Sequence, residues 1–121
     1  VEELRWGDKL TVECQWDIED RQKEIPSLLF ITFVENAFKH VAKSTFERGM
    51  IVMNFYQRKN NLKFEIKNSK SVILSNKKED KGLRLGLKNI KERLDILYPG
   101  KHDLKIEETN TIFHVLLTIQ I

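Results

Sequence analysis

The chain has 121 residues, a net charge of +3, and apolar and charged fractions of 40% and 32%. These values are those of a single globular domain that can bury a core without metals or disulfides. Its lysines and glutamates are interspersed, without the basic stripe and interleaved aromatic residues of a nucleic-acid-binding surface. No apolar run reaches the length of a membrane span. We therefore expect neither a nucleic-acid partner nor direct membrane contact by this domain.

The first predicted elements are a strand and a long helix. Residues 9–16 alternate apolar and polar side chains with period two, which predicts a half-buried strand. The only cysteine, Cys14, lies on the apolar face of this strand, so we expect it to be a small core residue. Because a single cysteine cannot form an internal disulfide, we also expect a reducing cytoplasmic setting. Pro26 then stands where the first turn of a helix tolerates proline, before an apolar run too long for a strand. We predict a helix at about 26–43.

A hairpin and a loop follow this helix. Two β-like runs, at 50–57 and 62–68, flank a polar turn and predict two paired strands. Residues 69–84 show no sustained period and contain a charge cluster followed by a glycine. A loop of that length in a small domain is usually functional or disordered, and the sequence pattern by itself leaves both alternatives open.

The last third of the chain predicts a second helix and two closing strands. Apolar residues recur at helical spacing from Gly86 until "YPG" stops the helix. Strands are predicted at 103–108 and 111–121. The order β-α-β-β-loop-α-β-β predicts an α+β fold, in which a mixed, mostly antiparallel sheet is covered by helices on one face. We predict one domain spanning 1–121.

The stretch "FVENAFKHV" places polar residues inside an apolar helix. Five polar side chains share one face at helical spacing: Thr32, Asn36, Lys39, His40 and Lys43. The cations near the helix end could simply offset the macrodipole, by about 0.3–1 kcal/mol each. Glu35 could also pair with Lys39 four residues later. Asn36 favours a binding function, because a mid-helix asparagine is a weak helix former with no capping role.

A second polar motif, "KGLRLGLKNIKERL", opens the second predicted helix. A glycine at a helix start leaves free backbone N–H groups at the positive end of the dipole, which suits a phosphate. Lys88 and Asn89 fall in the first turn and could assist. The motif is weak by itself, since glycine before a helix is common. The P-loop and dinucleotide-binding patterns are both absent.

Together the two motifs resemble the ATP-binding lobe of sensor histidine kinases, within the GHKL ATPase superfamily. "IPSLLFITFVENAFKHV" is similar to the N box of the LytS/YesM-type branch, and "LGLKNIKERL" followed by "LYPG" is similar to its glycine box. The resemblance covers nearly the whole chain, and the pair of boxes is more specific than either alone. It implies a two-layer α/β sandwich of the Bergerat type with an ATP lid at 69–84.

The resemblance also implies a role for individual residues. Asn36 would bind Mg²⁺ and bridge it to the triphosphate of ATP, and Glu35 would act as general base or orient the receiving imidazole. Asn68 would accept a hydrogen bond from the adenine amino group. The other implied ATP contacts are Lys39, His40, Lys81, Arg84, Leu85, Gly86, Leu87 and Asn89, with Lys77 and Lys78 as possible phosphate partners from the lid.

Three positions depart from the family pattern. Asn68 stands where the family carries an aspartate, and Lys70 stands where a glycine usually follows. Arg84 replaces the first glycine of the second box. An amide oxygen can still accept the adenine hydrogen bond, but more weakly than a carboxylate. These changes leave open an alternative: a degenerate GHKL module that acts through protein–protein contacts, with weak or no nucleotide binding.

The implied partners lie outside these residues. The family's phosphoacceptor histidine is carried by an upstream dimerisation domain, and none of His40, His102 and His114 has that setting. We therefore expect a fragment of a longer homodimeric kinase, cytoplasmic itself, whose parent is anchored in the bacterial inner membrane and signals to a response regulator. Trp6 and Trp16 are expected to be core or interface anchors.

Overall fold

A computed structural model of the chain describes residues 2–6, 10–20, 22, 27–42, 49–69 and 77–121. Six strands and two helices lie in this part of the chain. They are β1 (Glu2–Trp6), β2 (Leu10–Ile18), α1 (Ser27–Ala42), β3 (Gly49–Arg58), β4 (Asn61–Ser69), α2 (Lys77–Leu97), β5 (His102–Glu108) and β6 (Ile112–Gln120). Lys43 and lid residues 70–76 fall outside the described residues, so the predictions made for them have no structural counterpart.

The strands form one mixed sheet in the order β1-β2-β3-β4-β6-β5. Only β2 and β3 pair in parallel, and the other neighbours are antiparallel. A parallel pair needs a crossover connection, and α1 supplies it between β2 and β3. The predicted α+β class with a mixed, mostly antiparallel sheet is confirmed.

The hydrophobic core lies between the sheet and the two helices. Alternate residues of each central strand are buried, as period-two side-chain geometry requires. Phe64 of β4 is fully buried and contacts three other phenylalanine rings, Phe30, Phe33 and Phe55, at centroid distances of 4.9, 5.8 and 4.6 Å. The opposite face of the sheet carries polar residues such as Glu65 and His114 together with apolar ones such as Tyr56. In the described part of the chain both helices lie on one face of the sheet, as predicted.

One strand and the start of one helix differ from the sequence prediction. β1 was not predicted, because five residues carry little periodic signal; it forms by pairing with β2, from Glu2↔Cys14 to Trp6↔Leu10. The second helix begins at Lys77 and not at Gly86, so the prediction of a loop over 77–84 is wrong. Lysine, glutamate, leucine and arginine in that stretch are good helix formers, so α2 can extend through these residues.

The end of α2 is fixed by the "YPG" sequence and by a histidine. The Tyr98 N–H donates to the Leu94 carbonyl at 2.8 Å, and Gly100 takes a positive φ of 69° that turns the chain toward β5. The His102 Nδ1–H donates to the Tyr98 carbonyl at 2.7 Å, which satisfies a terminal carbonyl of the helix. None of the helices in the described ranges is long and apolar enough to cross a membrane.

Candidate functional site

Asn36 is the most unusual polar residue of α1. Its side chain is buried against the core, with 7% exposure, because positions 29, 33 and 37 of the same helix face the sheet. Its Nδ2 group is completely buried and, among the described residues, has no hydrogen-bond partner. An unsatisfied buried donor costs about 1–3 kcal/mol. Such a group in a native structure calls for an explanation, and a ligand acceptor is one.

Gly86 of α2 lies directly across from this amide. A Cβ atom placed on Gly86 would stand 3.9 Å from Asn36 Oδ1, with no closer neighbour. The two helices contact each other at this seam, so the fold brings together the two motifs that the sequence had separated. Asn89 lies one helical turn from Gly86 and is exposed, on the same side of α2. Leu87 turns inward and packs against the core.

Asn68 ends β4 on the same side of the sheet as the helices. It is 2% exposed and continues the buried series Leu62, Phe64 and Ile66. Its Nδ2 donates a hydrogen bond of 3.1 Å to the carbonyl of Ser69. Because this bond fixes the orientation of the amide, Oδ1 is left as the group that can accept a hydrogen bond from elsewhere.

Glu35 and Lys39 lie on a different side of α1 from Asn36. Successive residues of a helix are about 100° apart, and the structure places Glu35 and Lys39 beside Trp16 and Phe38, along a groove between α1 and the sheet. Both charged residues are exposed. The residues of the predicted polar stripe therefore do not share one surface, because Asn36 faces α2 and Lys39 borders the groove.

Four predicted site residues are placed by their backbone only. His40 lies in α1, and Lys81, Arg84 and Leu85 lie in α2, but their side chains fall outside the described part of the structure. The expectation that Gly86 opens a helix with free N–H groups is wrong, because α2 starts nine residues earlier. Inside a helix each N–H is already bonded to the carbonyl four residues before it.

Sequence reasoning missed a polar cluster on the opposite face of the sheet. His114 lies on the polar face of β6, as expected, but it is paired: its Nε2 lies 2.9 Å from Glu65 Oε2. Since an ionised carboxylate only accepts, Nε2 carries the proton. Asn54 donates a second hydrogen bond to Glu65 at 3.2 Å. Only cross-strand register could reveal this cluster, because its members come from β3, β4 and β6.

Burial and hydrogen bonding shift the pKa of Glu65 in opposite directions. Partial burial raises the pKa of Glu65, but the hydrogen bonds from His114 and Asn54, together with electrostatic attraction to His114 and Lys67, hold the pKa below its ordinary value. Glu107 Oε2 lies 3.9 Å from His114 Nδ1, so the imidazole stands between two carboxylates. The cluster stabilises the sheet and lies on the face away from Asn36.

Comparison with known proteins identifies the fold. The chain is 29% identical to the sensor histidine kinase YpdA of Escherichia coli strain K12 over 123 aligned positions, which cover 95% of this chain. It spans only 22% of that relative's length. No family model matches the chain.

Solved structures give the same result. The catalytic domain of histidine kinase ThkA superposes with a TM-score of 0.58 at 15% identity, over 90% of this chain and 78% of that one. Histidine kinase AdeS of Acinetobacter baumannii superposes with a TM-score of 0.54 at 14% identity, over 90% of this chain and 54% of that one. ThkA in complex with the response regulator TrrA gives 0.53 at 13% identity, over 90% and 34%. The chain therefore has the fold of a histidine kinase catalytic domain, and its sequence is homologous to a sensor histidine kinase.

Proposed function

We propose that this chain is the ATP-binding catalytic domain of a LytS/YesM-type two-component sensor histidine kinase. One observation carries the proposal: the buried Nδ2 of Asn36, which has no hydrogen-bond partner within the described residues, belongs to an amide that lies opposite Gly86, where the two segments that resemble the N box and the glycine box meet. The homology to a sensor kinase and the shared fold support it.

The Asn36 amide fits a magnesium-bound triphosphate. Magnesium in phosphoryl-transfer sites is usually held by one or two protein oxygens together with waters and phosphates, so one amide oxygen can suffice. The orphaned Nδ2 would donate to a phosphate oxygen, which removes the cost of its burial. When bound, Mg²⁺ would neutralise charge on the phosphate oxygens.

The remaining residues would position the nucleotide and the acceptor. Asn68 Oδ1 would accept a hydrogen bond from the adenine amino group, since its Nδ2 is occupied by Ser69. In the proposed transfer, a neutral imidazole nitrogen of the acceptor would form a bond to the γ-phosphorus while the bond from that phosphorus to the β-phosphate oxygen breaks and ADP leaves. The proton of the other ring nitrogen would pass to Glu35, which is exposed and open to a group arriving from outside.

The partners of this reaction lie beyond these residues. The phosphoacceptor histidine would belong to a dimerisation domain of the full-length homodimer, and the phosphate would then pass to an aspartate of a response regulator. The solved complex of the structural neighbour ThkA with the response regulator TrrA supports a regulator as partner.

Calorimetry with Mg·ATP tests nucleotide binding. We expect saturable binding that weakens at least about 100-fold in Asn36→Ala, since a metal ligand and a phosphate donor are lost together. Asn61→Ala is the matched control, because Asn61 is an exposed asparagine of the β3–β4 hairpin. Binding that is unchanged in Asn36→Ala, or absent at millimolar ATP, would contradict the proposal.

A second candidate is a module that retains the fold but signals through protein contacts. The observation that favours it is the continuity of α2 from Lys77 through Gly86, so that within this helix Gly86 offers no open backbone turn to phosphates. Autophosphorylation of the full-length protein with labelled ATP separates the two candidates. Incorporation of label that depends on Asn36 supports the kinase, and no incorporation supports the contact module.

A further inference from the structure

One edge of the sheet ends in a strand whose outer side is open. β5 is the last strand in the order of the sheet, and within the described residues it pairs with β6 alone. The ladder between them runs without a bulge from His102↔Ile119 to Glu108↔Phe113, and β5 contains no proline. Bulges and prolines are features that keep an edge strand from pairing with another chain. The edge of β5 can therefore accept a further strand.

Alternate residues of β5 turn their backbone groups to the outer side of this edge. The Gln120 N–H donates to the Lys101 carbonyl at 2.8 Å, so Lys101 and every second residue after it turn their backbone groups toward β6. The same alternation holds at the far end of the strand, where the Thr109 N–H bonds to β6 at 2.9 Å. Leu104 and Ile106, which alternate with these residues, point their N–H and carbonyl groups away from β6. These are the groups that a further strand would bond.

The charges along this edge alternate in sign. Four exposed residues occupy every second position, in the order positive, negative, positive, negative: Lys101, Asp103, Lys105 and Glu107. Period-two geometry places them on one face of the strand, and Lys105 Nζ lies 4.0 Å from Asp103 Oδ2. In the reverse direction the order is negative, positive, negative, positive. An antiparallel copy of the same strand therefore opposes each charge with a charge of the other sign, which stabilises strand pairing.

The charges also select one register for such a pair. When the pair is centred on Leu104, Asp103 opposes Lys105 of the second copy, and Lys101 opposes Glu107 of the second copy. Centring the pair one residue away, on Asp103 or on Lys105, opposes like charges, which destabilises the pairing. The register centred on Leu104 also joins residues whose backbone groups point outward, and it forms about six hydrogen bonds between the two copies.

We infer that β5 pairs with β5 of a second copy of this chain, antiparallel and centred on Leu104. The two six-stranded sheets then form one continuous sheet across a twofold axis. Leu104, which is half-buried against the core, packs on Leu104 of the second copy on the helix side of the sheet. The inference goes beyond the proposed function and does not rest on it, because Asn36 and Gly86 meet between α1 and α2 and not on β5.

Analytical ultracentrifugation over a concentration series tests the pairing. We expect a monomer–dimer equilibrium in which the dimer is populated below about 1 mM. Asp103→Lys and Lys105→Glu each create two like-charge pairs in the dimer, because positions 103 and 105 oppose each other twice. Each variant is expected to weaken the dimer at least about tenfold. Lys63→Glu is the matched control, since it makes the same charge change at an exposed lysine of β4 away from the edge, and it should dimerise as the wild type does.

A mixture of the two weakened variants tests the register. Asp103→Lys carries a cation at both positions 103 and 105, and Lys105→Glu carries an anion at both. When one copy of each variant meets, every opposed pair again joins charges of opposite sign. We expect the mixture to form a heterodimer with about the affinity of the wild-type dimer. Formation of the heterodimer also shows that both variants are folded.

Amide hydrogen exchange locates the contact on β5. The N–H groups of Leu104 and Ile106 should exchange more slowly as the concentration of the chain rises, because the second copy bonds them. The N–H group of Lys105, which faces β6, should exchange at the same rate throughout.

Four outcomes would overturn the inference. They are a monomer throughout the concentration series, single variants that dimerise as the wild type does, a mixture that stays monomeric, and dimer formation that leaves the exchange of Leu104 and Ile106 unchanged. Asn36→Ala, which tests the nucleotide site, should dimerise as the wild type does. The dimer and the proposed function can therefore fail separately.

Discussion

Two buried side-chain amides in this domain differ in their hydrogen bonding. Gln57, at the end of β3, is fully buried, and both ends of its amide are paired: Oε1 accepts from the Asp20 N–H at 2.7 Å, and Nε2 donates to the Lys59 carbonyl at 2.9 Å. Asn36, at the α1–α2 seam, is buried to nearly the same degree, but its Nδ2 donor has no partner in the part of the chain that the structure describes. The first amide ties the exit of β2 to the β3–β4 hairpin.

The difference teaches how a structural amide can be told from a functional one. Burial alone does not separate them, because both side chains lie in the interior. The hydrogen bonds of each amide do separate them. A structural amide offsets the free-energy cost of its desolvation with hydrogen bonds, whereas an unsatisfied amide leaves that cost uncompensated. This contrast supports the ligand-binding role that we propose for Asn36.

The largest expected effect comes from deleting the paired amide. Gln57→Ala should lower the free energy of unfolding by about 2–4 kcal/mol, because two partly buried hydrogen bonds to backbone groups are lost and a cavity forms at the buried side chain. Asn36→Ala should change it by less than about 1 kcal/mol, since the lost packing is offset by removal of an unsatisfied donor. Urea unfolding of both variants without nucleotide measures the difference. Equal losses of unfolding free energy in the two variants would contradict the distinction between the two amides.

Asn68 lies between these two cases, with one amide group paired and one open. Asn68→Asp should lower stability by about 1–3 kcal/mol at neutral pH, because a carboxylate oxygen would replace the donor that faces the Ser69 carbonyl. The loss should shrink as pH falls, since a protonated carboxyl can donate again. Urea unfolding at several pH values checks this, and a restored family aspartate that stabilises the fold at pH 7 would contradict it.

Gly86 tests the space in front of Asn36. Gly86→Ala should stabilise α2 by up to about 1 kcal/mol, because alanine is the better helix former and its Cβ would meet Asn36 Oδ1 only at 3.9 Å. Gly86→Leu should fill the space opposite the amide and weaken Mg·ATP binding. Thermal unfolding and calorimetry on both variants measure these effects. Wild-type ATP affinity in Gly86→Leu would place the nucleotide elsewhere.

The smallest effect concerns the paired cluster on the outer sheet face. The folded-state pKa of Glu65 is lowered, so its stabilising contribution is complete above the unfolded pKa and is lost as pH falls through the folded one. His114→Gln should reduce stability at neutral pH by less than about 1 kcal/mol, and should flatten the acid side of the stability profile. Urea midpoints between pH 3 and pH 7 test this, with Thr118→Ser on the same strand as control. A steeper acid loss in His114→Gln would contradict the assignment.

Local patterns in the sequence were sufficient for most elements. The strand at 10–18, the helix at 27–42 and the hairpin were predicted within one or two residues, because apolar periodicity and turn residues are properties of neighbouring positions. β1 was missed and the start of α2 was misplaced, because pairing and packing partners decided those boundaries. The charged residues 77–84 carry no period that separates a solvated helix from a loop.

By itself, the sequence determined the α+β class, the two polar motifs and the resemblance that linked them. It also singled out Asn36, since a weak helix former in an apolar helix is visible without coordinates. Only the tertiary structure decided that Asn36 faces Gly86 while Glu35 borders an apolar groove, that Gly86 lies inside a helix, and that His114 pairs with Glu65. The physical reason is that these are contacts between elements distant in sequence, and sheet order and helix packing set them.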